Sequence, residues 1–103
     1  MADVWCFAVV NRGGTLIRGR NVDRITRIDA GIYDVRFTVS MANAVEVASN
    51  ADNEIHVWAT AYGGVTDSNT VRVVTGIWEF DGSGNSAWVT ADAAFQLLVL
   101  AQE

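Results

Sequence analysis

The segment VDRITRIDAGIYDVRFTV, residues 22–39, decides the fold class. Val22, Ile25 and Ile28 lead into a turn, and Tyr33, Val35, Phe37 and Val39 leave it at a spacing of two. Successive side chains of a strand point to opposite faces, so the second set falls on one face. Asp34, Arg36 and Thr38 fall on the other, where they need water or a polar partner. Asp29-Ala30-Gly31 fits a three-residue hairpin loop that closes on a positive φ, a conformation that costs glycine little. Two half-buried antiparallel strands joined by a tight turn are therefore expected here.

The same alternation recurs outward from this hairpin. Before it, Trp5 to Val10 reads as a strand, Asn11 to Gly14 as a turn, Thr15 to Arg18 as a short strand and Gly19-Arg20-Asn21 as another turn. After it, Ala44 to Ser49 carries Val45, Val47 and Ser49 on one face. Glu54 to Tyr62 places Ile55, Val57, Ala59 and Ala61 opposite His56, Trp58, Thr60 and Tyr62. Gly63 to Asn69 reads as a loop, and Thr70 to Trp78 as a strand with Val71, Val73, Thr75 and Ile77 in phase. The Gly/Ser/Asn-rich stretch Asp81 to Asp92 reads as irregular, and Phe95 to Ala101 as the closing strand. About eight short strands without an amphipathic helix predict one all-β domain over residues 1–103, an antiparallel β-sandwich or jelly-roll-like barrel.

Composition narrows the function classes. The 103 residues suffice for one core. Half are hydrophobic and only 18% are charged, an apolar surplus that association with sister subunits would cover. A formal charge of −5 argues against nonspecific binding to nucleic acid, which depends on neutralising phosphates. There is no Lys; six of the seven Arg lie in residues 1–40, which carry +2, whereas residues 41–103 carry −7. Either a basic surface of one subunit meets an acidic surface of another, or neighbouring strands pair these charges within one subunit. The absence of Pro removes one usual guard of sheet edges.

Catalytic chemistry is poorly served. The single histidine, His56, lies in mid-strand without a recognisable nucleophile or metal partner, and reads as a surface or interface residue. The single cysteine, Cys6, lies in the apolar run VWCFAVV and reads as a small buried hydrophobe. No cofactor and no enzymatic activity are expected. The weak calcium candidate is Asp81, Ser83 and Asn85, with Asp92 as a closing carboxylate, weighed against an ordinary glycine-rich turn. Met1-Ala2-Asp3 lacks the positive start of a signal peptide, and no apolar run approaches the length of a membrane-spanning helix, so cytoplasmic synthesis without membrane insertion is expected.

The aromatic residues are the candidate contact surface. Trp58 and Tyr62 project away from Val57, and Trp78 and Trp88 bracket the glycine-rich stretch. With Asn69 and Asn85 nearby in loops, they would anchor a protein partner or stack on sugar rings, or else fill a sandwich or subunit contact.

The order of motifs resembles a known family. Phe7-Ala8-Val9-Val10-Asn11, Gly14-Thr15-Leu16, Arg18-Gly19, then Gly31, Tyr33, Val35 and Phe37, and a closing Phe95, Leu97 and Val99 resemble a small β domain. That domain ends phage tail-fibre-like, collagen-like and other surface-displayed proteins of bacteria and their viruses. The resemblance implies a non-enzymatic homo-oligomer, a trimer, displayed on a virion or similar particle as a decoration, cement, fibre-head or host-attachment protein. A freestanding copy would gain valency by self-association or by docking on a capsid or fibre. The family often carries a cysteine after the asparagine that opens the fifth strand and another at the end of the last strand. Ala44, after Asn43, and Ala101 occupy those places here, so the resemblance implies that they are neighbours. The competing expectation is a lectin, with Trp58, Tyr62 and Trp88 as stacking platforms and Asn69, Asp81 and Asn85 binding glycan hydroxyls; a small enzyme is third.

Overall fold

A computed structural model describes residues 3–52, 57–63, 67–80 and 82–102. In chain order its strands are β1 (Asp3–Val10), β2 (Leu16–Arg20), β3 (Val22–Asp29), β4 (Ile32–Phe37), β5 (Val45–Asn50), β6 (Val57–Gly63), β7 (Thr70–Phe80), β8 (Ser86–Thr90) and β9 (Phe95–Gln102). They form two antiparallel sheets, one ordered β2-β1-β9-β5 and the other β3-β4-β7-β6, with β8 added beside β7. The protein is an all-β sandwich, as the period-two pattern requires.

The hairpin of residues 22–39 supplies β3 and β4. Tyr33, Val35 and Phe37 are fully buried, and Val22, Ile25 and Val39 pack partly against them. Asp29 pairs directly with Ile32, so the expected three-residue loop shortens to Ala30-Gly31. The extra residue appears instead as an irregularity at Ile28, and Ile28 points outward. Gly31 has a φ of +72°, and a Cβ there would lie 2.5 Å from the Thr75 carbonyl oxygen. The turn thus needs glycine for its backbone angle and for its packing.

Facing this hairpin across the core are Cys6, Ala8 and Val10 of β1 and Phe95, Leu97, Val99 and Ala101 of β9, all buried. Val71 and Val73 of β7 extend the same layer on the hairpin side. Each fully buried Val, Leu or Phe contributes about 1.5–3 kcal/mol through loss of apolar contact with water. Tyr33 meets Phe95 across the layers, ring centroids 5.0 Å apart and planes inclined at 51°. Its hydroxyl reaches the rim, where it donates to the Arg12 carbonyl at 2.7 Å.

Three sequence expectations are corrected. Gly19 and Arg20 belong to β2, and the turn contracts to Asn21, which adopts a φ of 61°. Asn21 fits because its amide donates to the Trp5 carbonyl at 3.3 Å while its own carbonyl accepts from the Thr38 N–H at 2.8 Å. Gly63 closes β6 instead of opening a loop. The stretch Asp81 to Asp92, expected to be irregular, contains β8, because the outer half of the eleven-residue β7 offers a free edge to Ala87, Trp88 and Val89. The Gly/Ser/Asn cluster is confined to the connecting tip. Ile55 and His56 lie outside the described residues.

β5 and β9 pair with Val45 opposite Leu100, which makes Ala44 and Ala101 the next step of that ladder. The A44C/A101C double variant should therefore form a disulfide on oxidation and gain about 4 kcal/mol of stability, given the long loop it closes. Thermal unfolding with and without reductant checks this; three free thiols, Cys6 included, in the oxidised variant once denatured would contradict that register.

Candidate functional site

The outer face of the β3-β4-β7-β6 sheet carries the aromatic residues singled out above. Trp58 of β6 stands opposite Gly76 of β7, and Trp78 of β7 opposite Trp88 of β8, so three indoles from three strands share one surface. Trp78 and Trp88 have ring centroids 4.7 Å apart, and Trp58 meets Trp88 edge-on at 6.1 Å and 90°. Phe80 extends the cluster from Trp78 at 6.0 Å. Gly76 is the enabling residue, because a Cβ there would lie 2.4 Å from the Trp58 ring and 2.3 Å from the Val89 carbonyl oxygen. Trp58 and Trp78 are half-buried, whereas Trp88 and Phe80 are exposed. The Trp58 Nε1 atom is buried with no hydrogen-bond partner among the described residues. Edge-on rings of this kind form a packed cluster and not a row of open platforms.

Tyr62 is exposed on the same sheet but lies two rungs away, opposite Arg72. Asn69 is absorbed by the fold. Its side-chain amide donates to the Phe37 carbonyl at 3.2 Å, and its backbone carbonyl accepts from the Phe37 N–H at 2.9 Å. Asn85 sits at the exposed β7–β8 tip, 3.4 Å from the Ser83 hydroxyl.

The calcium candidates do not converge among the described residues. Asp92 follows β8, a strand away from the tip, which at about 3.3 Å per residue is roughly 20 Å of chain from Asn85. Its carboxylate is committed elsewhere: it accepts from the Gly31 N–H at 2.8 Å and pairs with Arg27, whose Nη2 lies 2.9 Å from Oδ2. The Arg27 guanidinium, and then the Gly31 N–H, hold Asp92 below the usual carboxylate range. Asp81 lies outside the described residues, and no group of three His, Cys, Asp or Glu among those described is placed to hold a metal.

Several of the remaining charges also pair within the subunit. Arg72 grips Asp34 with two bonds of 2.8 and 3.1 Å, which satisfies the one buried carboxylate of the hairpin. Arg12 reaches Asp52 at 3.1 Å, and Arg36 reaches Asp23 at 2.7 Å and Asp67 at 3.5 Å. Arg12, Arg27 and Arg36 of the basic segment thus meet acids of the acidic one, which accounts for much of the charge split inside one chain. Cys6 is fully buried, and burial pushes its thiol up, away from the reactive thiolate.

Sequence reasoning missed a second surface. On the outer face of the β2-β1-β9-β5 sheet, Trp5, Phe7 and Val9 of β1 lie beside Leu98 and Leu100 of β9 and Val45 and Val47 of β5. Trp5 is 54% exposed, Val45 65%, Val47 61% and Leu98 49%. The Arg18 guanidinium lies over the Phe7 ring, 5.4 Å from its centroid, at the margin of this face. A solvated antiparallel face is ordinarily polar, so this one is anomalous. The signal was present in Leu97-Leu98-Val99-Leu100, a run apolar at every position and hence on both faces.

Two outcomes follow. G76A should displace Trp58, cost about 1–3 kcal/mol by overpacking, and diminish the near-ultraviolet circular dichroism of the coupled indoles. D92N should lower stability by about 1–3 kcal/mol at pH 7. Because the native Asp92 value is depressed, its contribution is present above the unfolded value near ~4 and is lost as pH falls below it. Denaturant titrations should therefore show the wild-type advantage shrinking in acid; a gap that is constant down to pH 2 would contradict that role.

No protein-family model, no curated protein and no solved structure matches this chain.

Proposed function

We propose that this protein is a non-enzymatic structural or attachment module that acts as a homo-oligomer on a larger assembly, as a virion decoration, cement or fibre-head protein does. The observation that carries this reading is the distribution of side chains. Many polar groups are spent on ion pairs and clasps within the fold, while Trp5, Val45, Val47 and Leu98 remain exposed on one outer face and Phe80 and Trp88 on the other. Contiguous apolar surface of this kind marks a contact with protein. The order of strand and turn motifs described above supports the particle-surface setting.

A glycan-binding reading is favoured by one feature, the exposure of Tyr62 and Trp88 on one sheet face. It is weakened by Trp58 and Trp78, which pack edge-on inside the cluster, and by Asn69, whose amide is engaged by the backbone.

Light scattering coupled to size-exclusion chromatography should give a mass above that of one chain at micromolar concentration. A monomer persisting to about 100 µM, with no retention on a particle surface, would retire the proposal. A glycan array read with and without calcium should stay blank; specific signal lost on W88S would instead establish the lectin reading.

A further inference from the structure

We infer that the outer face of the β2-β1-β9-β5 sheet is where a second copy of this chain docks, sheet against sheet, about a two-fold axis. This rests on the self-associating reading above and assigns it a surface, a partner and a geometry.

Strand register divides the face into four rungs. The first holds Asp3 and Gln102, the second Trp5, Leu100 and Val45, the third Arg20, Phe7, Leu98 and Val47, and the fourth Arg18, Val9, Gln96 and Ser49. The middle two rungs are apolar across β1, β9 and β5, and the charges stand at the ends or on β2. A two-fold axis lying in the contact plane, perpendicular to the strands and between the second and third rungs, lays each middle rung on the other. It also lays the first rung of each copy over the fourth of its mate. Asp3 then comes beside Arg18 of the second copy, and Gln102 over Gln96. An axis parallel to the strands would place Asp3 over Gln102 and Arg20 over Val47, leaving both charges unmatched. Charge complementarity therefore selects the perpendicular axis.

Area and shape fit the same arrangement. The positions that face each other in this arrangement are four rungs of β1 and β9 and two of β5; with strands about 4.8 Å apart and rungs about 6.7 Å apart, they give a footprint of roughly 320 Å² per copy before corrugation is counted. A pair thus hides roughly 650 Å² before the side chains interdigitate, the size of a weak contact that forms with rising concentration. A shallow groove of about 470 Å³ runs over Phe7, Val9, Arg18, Val47, Gln96 and Leu98. Trp5 stands beside it as the largest exposed ring of the face, and the two-fold operation carries it over the mate's Phe7 and into that groove. Each copy supplies one ring and one groove, as an isologous contact demands. Two-fold pairing departs from the trimer that the family resemblance implies.

The test is the solution mass over a concentration series, with circular dichroism to verify folding. Wild type should be a dimer at tens of micromolar. V47D and L98D place a carboxylate on side chains that are already exposed, so they should keep the fold and weaken the dimer by at least roughly thirtyfold. W88S, on the opposite sheet, should leave it unchanged. D3R and R18D should each weaken the dimer, and the double variant D3R/R18D should restore it, which a general loss of stability would not do. A wild-type monomer at every concentration defeats the self-associating reading itself. An oligomer that V47D and L98D leave intact, a trimeric wild-type mass, or a failure of the charge exchange to rescue defeats the face and geometry assigned here while leaving that reading standing.

Discussion

Contact between Tyr33 and Phe95 is the interaction on which the sandwich turns. Tyr33 belongs to the hairpin sheet and Phe95 to the opposing one, and their rings meet 5.0 Å apart inside a layer of fully buried Val, Leu and Cys. Tyr33 also fixes the rim of the core. Its hydroxyl carries a single proton, and the 2.7 Å contact with the Arg12 carbonyl ties the β1–β2 turn to β4. The same oxygen lies 3.2 Å from Asp92, which in turn holds the Gly31 turn and the Arg27 side chain. One aromatic residue thereby couples packing between the sheets to the polar clasp at their end. Desolvation, followed by the neighbouring Asp92 charge, raises the Tyr33 hydroxyl above its ordinary value and keeps it a neutral donor.

The clasp explains where the chain's polar chemistry has gone. Asp34, Asp52, Asp92 and Asn69 are the residues whose chemistry would otherwise suit a binding site, and each is engaged by a partner from another part of the chain. Asp52, for example, accepts from the Ala94 N–H at 2.9 Å as well as from Arg12. Removing a partner from the buried Asp34, or from the half-buried Asp52 and Asp92, costs more than an exposed ion pair contributes, so these charges are structural before they are anything else. The surface left for encounter with other molecules is correspondingly apolar.

How much of this was legible in the sequence depended on whether the information was local. β4 was readable because Tyr33, Val35 and Phe37 alternate without exception and all three are buried. β7 was readable from Val71, Val73 and Thr75 for the same reason, although its last two residues were not, since Glu79 and Phe80 are exposed. β8 escaped because, among the described residues, it pairs with the overhang of β7 alone, a fact of register that no window around residues 86–90 contains. Trp58 and Tyr62 were assigned to one face correctly, yet the cluster of Trp58, Trp78 and Trp88 depends on cross-strand adjacency and on Gly76. The apolar outer face of β1, β9 and β5 was legible only in part: Leu97 to Leu100 shows β9 to be apolar on both faces, but the extent of the patch appears only when three strands are laid side by side.

The β7–β8 hairpin gives the molecule its length. Overall dimensions of 54 × 23 × 21 Å describe a rod, and residues 79–80 and 82–88 at the hairpin's far part are exposed. A Cβ built at Gly82 or Gly84 would meet nothing within 4 Å. Such a projection is mechanically continuous with the body through β7 but energetically separate from it at the tip. Space sets no limit on side-chain size there, but Gly82 and Gly84 adopt φ values of +82° and +92° that favour glycine, so the tip can diversify only around two fixed backbone positions.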